Sequence, residues 1–129
     1  MVLSSPTNTA LEKAFSALWQ RQQTISHNIA NEDTPGYKAK RLEFESLLKN
    51  EISNINRGDF SRRESVSRIE GVKAREYELE NLTGRADGNN VVLDNEYIEL
   101  ARTQIQYNAI QQRINGYYTN LKYVISGGR

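Results

Sequence analysis

The chain has 129 residues, one small domain's worth, with 17 Lys and Arg against 16 Asp and Glu and a formal net charge of +1. That balance argues against a dedicated nucleic-acid binder, which carries a pronounced basic excess. Cysteine is absent, which excludes a disulfide framework, a thiolate metal site and a cysteine nucleophile. No run approaches the length and apolarity of a membrane span. The start, Met1-Val2-Leu3-Ser4-Ser5-Pro6, lacks the positive n-region and apolar h-region of a cleavable signal peptide, so none is expected. Composition alone points to the cytosol.

Residues 1–9 are polar and broken by Pro6, which reads as a loose start. From there Leu11, Phe15, Leu18, Ile25 and Ile29 recur in steps of three and four, with Gln22 filling the remaining place. This is the rhythm of a helix seam that needs a partner helix. It predicts a helix over about residues 10–30, with Thr7 or Thr9 at the cap and Glu12 completing a capping box.

The seam runs into an abrupt stop at Asn28-Ile29-Ala30-Asn31-Glu32-Asp33-Thr34-Pro35-Gly36-Tyr37-Lys38. Asn28 and Asn31 fall on one helical face. Asn tolerates the left-handed conformation that ends many helices, so Asn31 is expected to supply it. Pro35 and Gly36 suit the second and third positions of a type II turn, the third requiring positive φ.

Phe44, Leu47, Leu48, Ile52 and Ile55 predict a second helix over about 42–56. The stretch from about 57 to 93 shows poor periodicity and mixed charge, with Gly58, Gly71 and Gly84, and is expected to be an irregular or partly extended insert. The last element is the longest, a helix over about 95–125. Asp94 is placed to cap it and Glu96 sits favourably in its first turn. Leu100, Tyr107, Ile114 and Leu121 form one line at intervals of seven, and Ile110, Tyr117 and Val124 its companion. Ile98, Ala101 and Ile105 broaden the face. Gly127-Gly128 end the helix, and Gly116 inside it costs up to ~1 kcal/mol relative to Ala, which suggests a close helix contact there. The whole reads as a single mainly α domain. Its long terminal helices pair like a coiled coil, leaving Trp19, Tyr97, Tyr118 and Tyr123 to cover the pair or to meet neighbours.

No constellation carries catalysis. His27 is the only histidine, and in a helix beside the Asn pair it is expected to be a surface or packing residue. Asp87, Asn89, Asn90 and Asp94 are oxygen-rich but lack the ligand order and terminal Glu of a calcium loop; with Gly88 they read as a turn leading into a capped helix. Arg57, Arg62, Arg63, Arg68 and Arg75 are interleaved with acids and form a solvated or intersubunit face. No enzyme activity, cofactor, metal, nucleic acid or small-molecule substrate is expected.

The block Asn28-Ile29-Ala30-Asn31, then Thr34-Pro35-Gly36-Tyr37-Lys38 with Arg21-Gln22 upstream, resembles the signature of the bacterial flagellar rod and hook proteins. A second block, Asp87-Gly88-Asn89-Asn90-Val91 followed by Leu93-Asp94, falls where that family has it. The uninterrupted Thr-Pro-Gly-Tyr-Lys most resembles the proximal-rod type. One departure is Val92, where the family more often has an acidic residue. The resemblance implies a subunit of the hollow drive shaft, transmitting torque around the export channel. Its implied partners are other rod subunits and further copies of itself, the adapter joining rod to the membrane ring, and the type III export gate. It implies export without a cleaved signal to the periplasm or cell-wall space, with terminal helices that order as their seams are buried against neighbours. The alternative is a cytosolic helical adapter or chaperone-like module using the same seams.

Overall fold

The computed structural model describes residues 5–80 and 85–128. The expected loose start extends into residues 1–4 and the expected insert includes 81–84; both stretches lie outside the described residues. Six elements follow in order: α1 (Pro6–Ala30), β1 (Lys40–Glu43), α2 (Glu45–Arg57), α3 (Arg62–Glu70), β2 (Arg75–Glu78) and α4 (Leu93–Ile125).

α1 begins earlier than its apolar periodicity indicates. Ser5, extended at φ −107°, accepts the Asn8 N–H on its hydroxyl, and Pro6 takes the first helical position. Proline there loses nothing, because that N–H has no helical partner in any case. The expected cap at Thr7 or Thr9 and its box with Glu12 are therefore corrected: both threonines lie inside the helix, and Glu12 accepts from the Asn8 side chain.

At ~1.5 Å per residue α1 is ~37 Å long and α4 ~50 Å. They pack antiparallel: Asn28 meets Glu96, Gln22 donates to Gln104, Phe15 stacks on Tyr107 at 4.4 Å, and the Tyr118 hydroxyl donates to Glu12. Ile25 and Leu18 are buried on the α1 side, Leu11, Phe15 and Ile29 half-buried; Thr103 is buried on α4, where Leu100, Tyr107, Ile110, Ile114, Tyr117 and Leu121 are half-buried. Ile98, Ala101 and Ile105, expected to broaden the face, are exposed instead, and Val124 departs from the expected seam. It is 72% exposed because α4 runs on past the start of α1. Beyond it Ser126 caps the helix, and the Gly127 and Gly128 N–H groups turn back to the Val124 and Tyr123 carbonyls, a Schellman closure.

The middle of the chain is more regular than its sequence suggests. Leu42, expected in the second helix, lies in β1, and α2 starts only at Glu45. β1 pairs antiparallel with β2, Lys40 opposite Glu78 and Glu43 opposite Arg75, so opposite charges face one another across the ladder. α3 occupies the centre of the expected irregular stretch. Ser61 and Glu64 form a reciprocal capping box, and Ser65 and Ile69, one turn apart, are its buried residues. α2 has no fully buried residue. Its apolar Leu48, Ile52 and Ile55 flank a groove shared with α1.

Ile25 is 1% exposed, so Ile25→Ala is expected to cost ~2–5 kcal/mol by transfer and cavity terms together. Urea denaturation of the purified chain measures it; a loss below ~1 kcal/mol would show that α1 and α4 do not hold together as described.

Candidate assembly junction

α1 stops without a left-handed residue. Asn31, expected to supply one, sits at φ −104° and ψ 18°, its N–H shared between the His27 and Asn28 carbonyls. Its side chain donates back to the His27 carbonyl at 2.7 Å and accepts from the Thr34 hydroxyl. The Glu32 and Thr34 N–H groups reach Ile29 and Asn31, so the end tightens through short-range turns. The reversal comes later, at Gly36, with φ 72° and the Tyr37 N–H returning to the Thr34 carbonyl at 3.2 Å. This is the type II arrangement that Pro35-Gly36 favours. Pro35 and Ala30 face solvent.

The return block packs on that turn. The Gly36 N–H donates to the Asp87 carbonyl at 2.8 Å, and the Lys38 ammonium donates to the Gly88 carbonyl. Gly88 also has positive φ, 79°, and a Cβ on it would stand 3.6 Å from the Gly36 Cα. The two glycine turns therefore lie back to back.

Three buried asparagines lock the two blocks together. Asn28, fully buried, donates to the Lys40 carbonyl and to Glu96 and accepts from the Lys40 N–H and the Tyr37 hydroxyl, at 2.9–3.1 Å. Asn89, also fully buried, directs its amide at the Asn31, Glu32 and Thr34 carbonyls and accepts the Val91 N–H. Asn90 accepts the Ala39 N–H and donates to the Leu79 carbonyl, joining the start of β1 to the end of β2. A carboxamide has both donors and acceptor, so one side chain can satisfy an N–H and a C=O that buried irregular backbone would leave unpaired.

Glu96, 1% exposed, is the buried charge of the site. Arg41 clamps both its oxygens at 2.8 and 3.1 Å and Asn28 adds a third donor, which offsets the cost of its burial. The expectation that Glu96 merely complements the helix dipole, with Asp94 as cap, is corrected: Val92 stands at the cap position without a side-chain bond, Asp94 is exposed in the first turn, and Glu96 turns inward to the arginine. Burial pushes the Tyr37 hydroxyl above its ordinary pKa, reinforced by Glu76, Glu96 and Glu78. On the flank, Arg21 grips Glu45 through two bonds of 2.6 Å and reaches the Leu42 carbonyl. That pairing raises the arginine and lowers the carboxylate.

His27 is exposed, in an open groove with Trp19, Leu42 and Glu76. Among the described residues no three His, Asp or Glu side chains are placed to hold a metal. Asp87 is engaged by Arg85 and the Asn89 N–H, and Asn89 and Asn90 are occupied with backbone. Arg41 and Lys40 are the members of the junction that sequence reasoning missed. Nothing local marks a basic strip as half of a buried ion pair whose partner is 55 positions on.

Asn28→Ala leaves a buried carbonyl, an N–H and a carboxylate short of partners, and is expected to cost ~3 kcal/mol or more, read by urea denaturation; Asn28→Asp, which lacks the donors, fares no better. Gly36→Ala meets no neighbour, so its expected cost is the left-handed strain alone, ~1–2 kcal/mol. Tyr37→Phe separates a pH effect. A raised tyrosine pKa stabilises the fold fully below the ordinary value near 10 and is lost as pH rises through the folded value, so the variant is expected to shed part of the alkaline loss of stability.

The family model described as Flagella basal body rod protein matches residues 9–38, from the first seam through the Pro-Gly turn. Along its whole length the chain is 39% identical to the flagellar basal body rod protein FlgB of Bacillus subtilis, covering all of both chains. It is 31% identical to the FlgB of Buchnera aphidicola, over 90% of this chain and 91% of that one, and 25% identical to the FlgB of Escherichia coli over 91% of each. With the helix pair, the turn and the return block all inside these alignments, the chain belongs to the FlgB family of flagellar basal body rod proteins.

Proposed function

We propose that this rod subunit assembles by offering the outer surface of α4 to neighbouring subunits, while the inner surface stays on α1. The observation that carries this is the character of α4. From Thr103 to Leu121 it holds a single charge, Arg113, although only one face is covered. A helix surface that remains in water ordinarily carries charge on its open side; here that side presents Ile98 and Ile105, the latter 70% exposed, and ends in the exposed Tyr123, Val124 and Ile125. Gly116 has nothing within 4 Å of where a Cβ would stand, so its helix cost has no return inside the monomer. A neighbouring helix approaching closely would supply one.

The clasp of Asn28, Ile29, Ala30, Asn31, Thr34, Pro35, Gly36 and Tyr37 with Asp87, Gly88, Asn89 and Asn90 then has a structural task. It fixes the angle at which α1 and α4 enter the wall of the rod. The seam residues, from Leu11 to Ile29 and from Leu100 to Leu121, hold the pair rigid enough to carry torque. We read the chain as non-catalytic. Its likeness to the proximal-rod type supports a place at the base of the rod, between the adapter on the membrane ring and the next rod subunit. It also supports export through the type III gate without a cleaved signal and a final position in the periplasm or cell-wall space. No helix among the described residues is long and apolar enough to cross a membrane.

Mass spectrometry of detergent-extracted hook–basal bodies tests the reading. The chain is expected there at a few copies per particle. Its absence from intact particles, with the protein soluble in the cytosol, would move it to the adapter class. Ile105→Glu, on the open side of α4, is expected to leave urea stability within ~0.5 kcal/mol and to remove the chain from those particles; normal incorporation of the variant would show that this face is not an interface.

A further inference from the structure

The two edges of the small sheet are treated differently. Lys40 directs its N–H and C=O at Asn28 and not across the ladder, which makes it and Glu78 a facing pair without mutual hydrogen bonds. Leu42, whose carbonyl takes Arg21, and Glu76 form the next such pair. Side chains of α1 therefore close the outer edge of β1. By the same alternation the N–H and C=O of Glu76 and Glu78 point outward from β2. No group among the described residues meets them there, and all four strand residues are exposed. This is the main-chain complement of one added strand.

An open groove of about 330 Å³ lies beside this edge. Trp19, Gln23 and His27 line it from α1, and Ala74 and Glu76 line it from β2 and the residue before it. Trp19 is 53% exposed. Glu76 accepts from the Thr24 hydroxyl with one oxygen, while its other stands 3.9 Å from the Lys40 ammonium. On this face of the sheet Lys40 is set against both Glu76 and Glu78, so carboxylate is in excess. Side chains of an added strand alternate between the two faces, and every second one, opposite Glu76 and Glu78, would lie on the groove side. A cation there meets an indole face and a carboxylate together. We propose that the free edge of β2 docks an extended segment of another protein with Lys or Arg at every second position, its cations lying between Trp19 and the β2 carboxylates. Charge on an edge ordinarily keeps strands away; here it sorts them. A second copy's β2 would bring Ala74, Glu76 and Glu78 to the groove, carboxylate against carboxylate. The contact goes beyond the rod reading and uses no residue of α4.

Trp19 is the only tryptophan and reports on the groove directly. A short blocked peptide alternating lysine and valine is titrated into the purified chain, with a peptide alternating glutamate and valine as the control. The lysine peptide is expected to shift the Trp19 emission saturably and to slow hydrogen exchange at the Glu76 and Glu78 amides; the control is expected to do neither. Glu76→Gln, which keeps an acceptor for Thr24, is expected to weaken binding of the lysine peptide about fivefold, the scale of one partly exposed charge pair. Glu78→Pro removes an outward N–H without touching the ladder to β1, and is expected to weaken binding further than Glu78→Gln does. A Trp19 shift without amide protection would mean a cation in the groove and no added strand. Equal binding of the glutamate peptide would mean no selection by charge. Either result overturns the proposal, as does the absence of both signals. Protection of the two amides as the chain alone is concentrated would assign the edge to a second copy and overturn it as well. None of these outcomes bears on α4, whose test is incorporation into basal bodies.

Discussion

One carboxamide holds this structure in register. Asn28 lies near the end of α1 with no access to water, and its two polar atoms serve the backbone of Lys40, the Tyr37 hydroxyl and the Glu96 carboxylate. Each bond taken singly stabilises by only ~1 kcal/mol, but leaving any of these buried groups unpaired costs more than making the bond gains. The position therefore tolerates neither an apolar residue nor an acid. Because Asn28 stands on α1 and its partners come from the loop before β1, from β1 and from α4, a single side chain sets where the chain leaves one helix, where the strand begins and how the last helix is rotated.

The same logic extends across the junction. Asn89 and Asn90 do for the turn after α1 and for the ends of the two strands what Asn28 does for the helix pair. Arg41 supplies the guanidinium that meets both Glu96 oxygens inside. The middle of the chain, from α2 to β2, is attached to this frame through β1 and through its contacts with α1. The clasp itself is made of short stretches near residues 28–41 and 85–96, and no side chain of α2 or α3 joins the asparagine bonds.

The surface that the helix pair leaves open lies mostly on α4. From Thr103 to Leu121 it carries one charge, Arg113, and is partly apolar, which suits close helix packing over a long line.

Sequence by itself determined the two seams, because a period near 3.6 residues with apolar spacing is a local property of the chain, and it determined the Pro35-Gly36 turn, because positive φ is a property of glycine. It also located both asparagine blocks, though without saying what the amides bind. Tertiary structure decided the rest. The strands, Lys-Arg-Leu-Glu and Arg-Glu-Tyr-Glu, carry no apolar alternation and exist through cross-strand charge and the Asn28 and Asn90 clamps. α3 was legible in Ser61 and Glu64, a box hidden by the charged residues around it. Glu96 looked like a dipole-complementing surface acid until Arg41 was brought against it from 55 residues away. Such pairings depend on distance in space, which the order of residues does not contain, and so the fold alone could turn a solvated charge into a buried one.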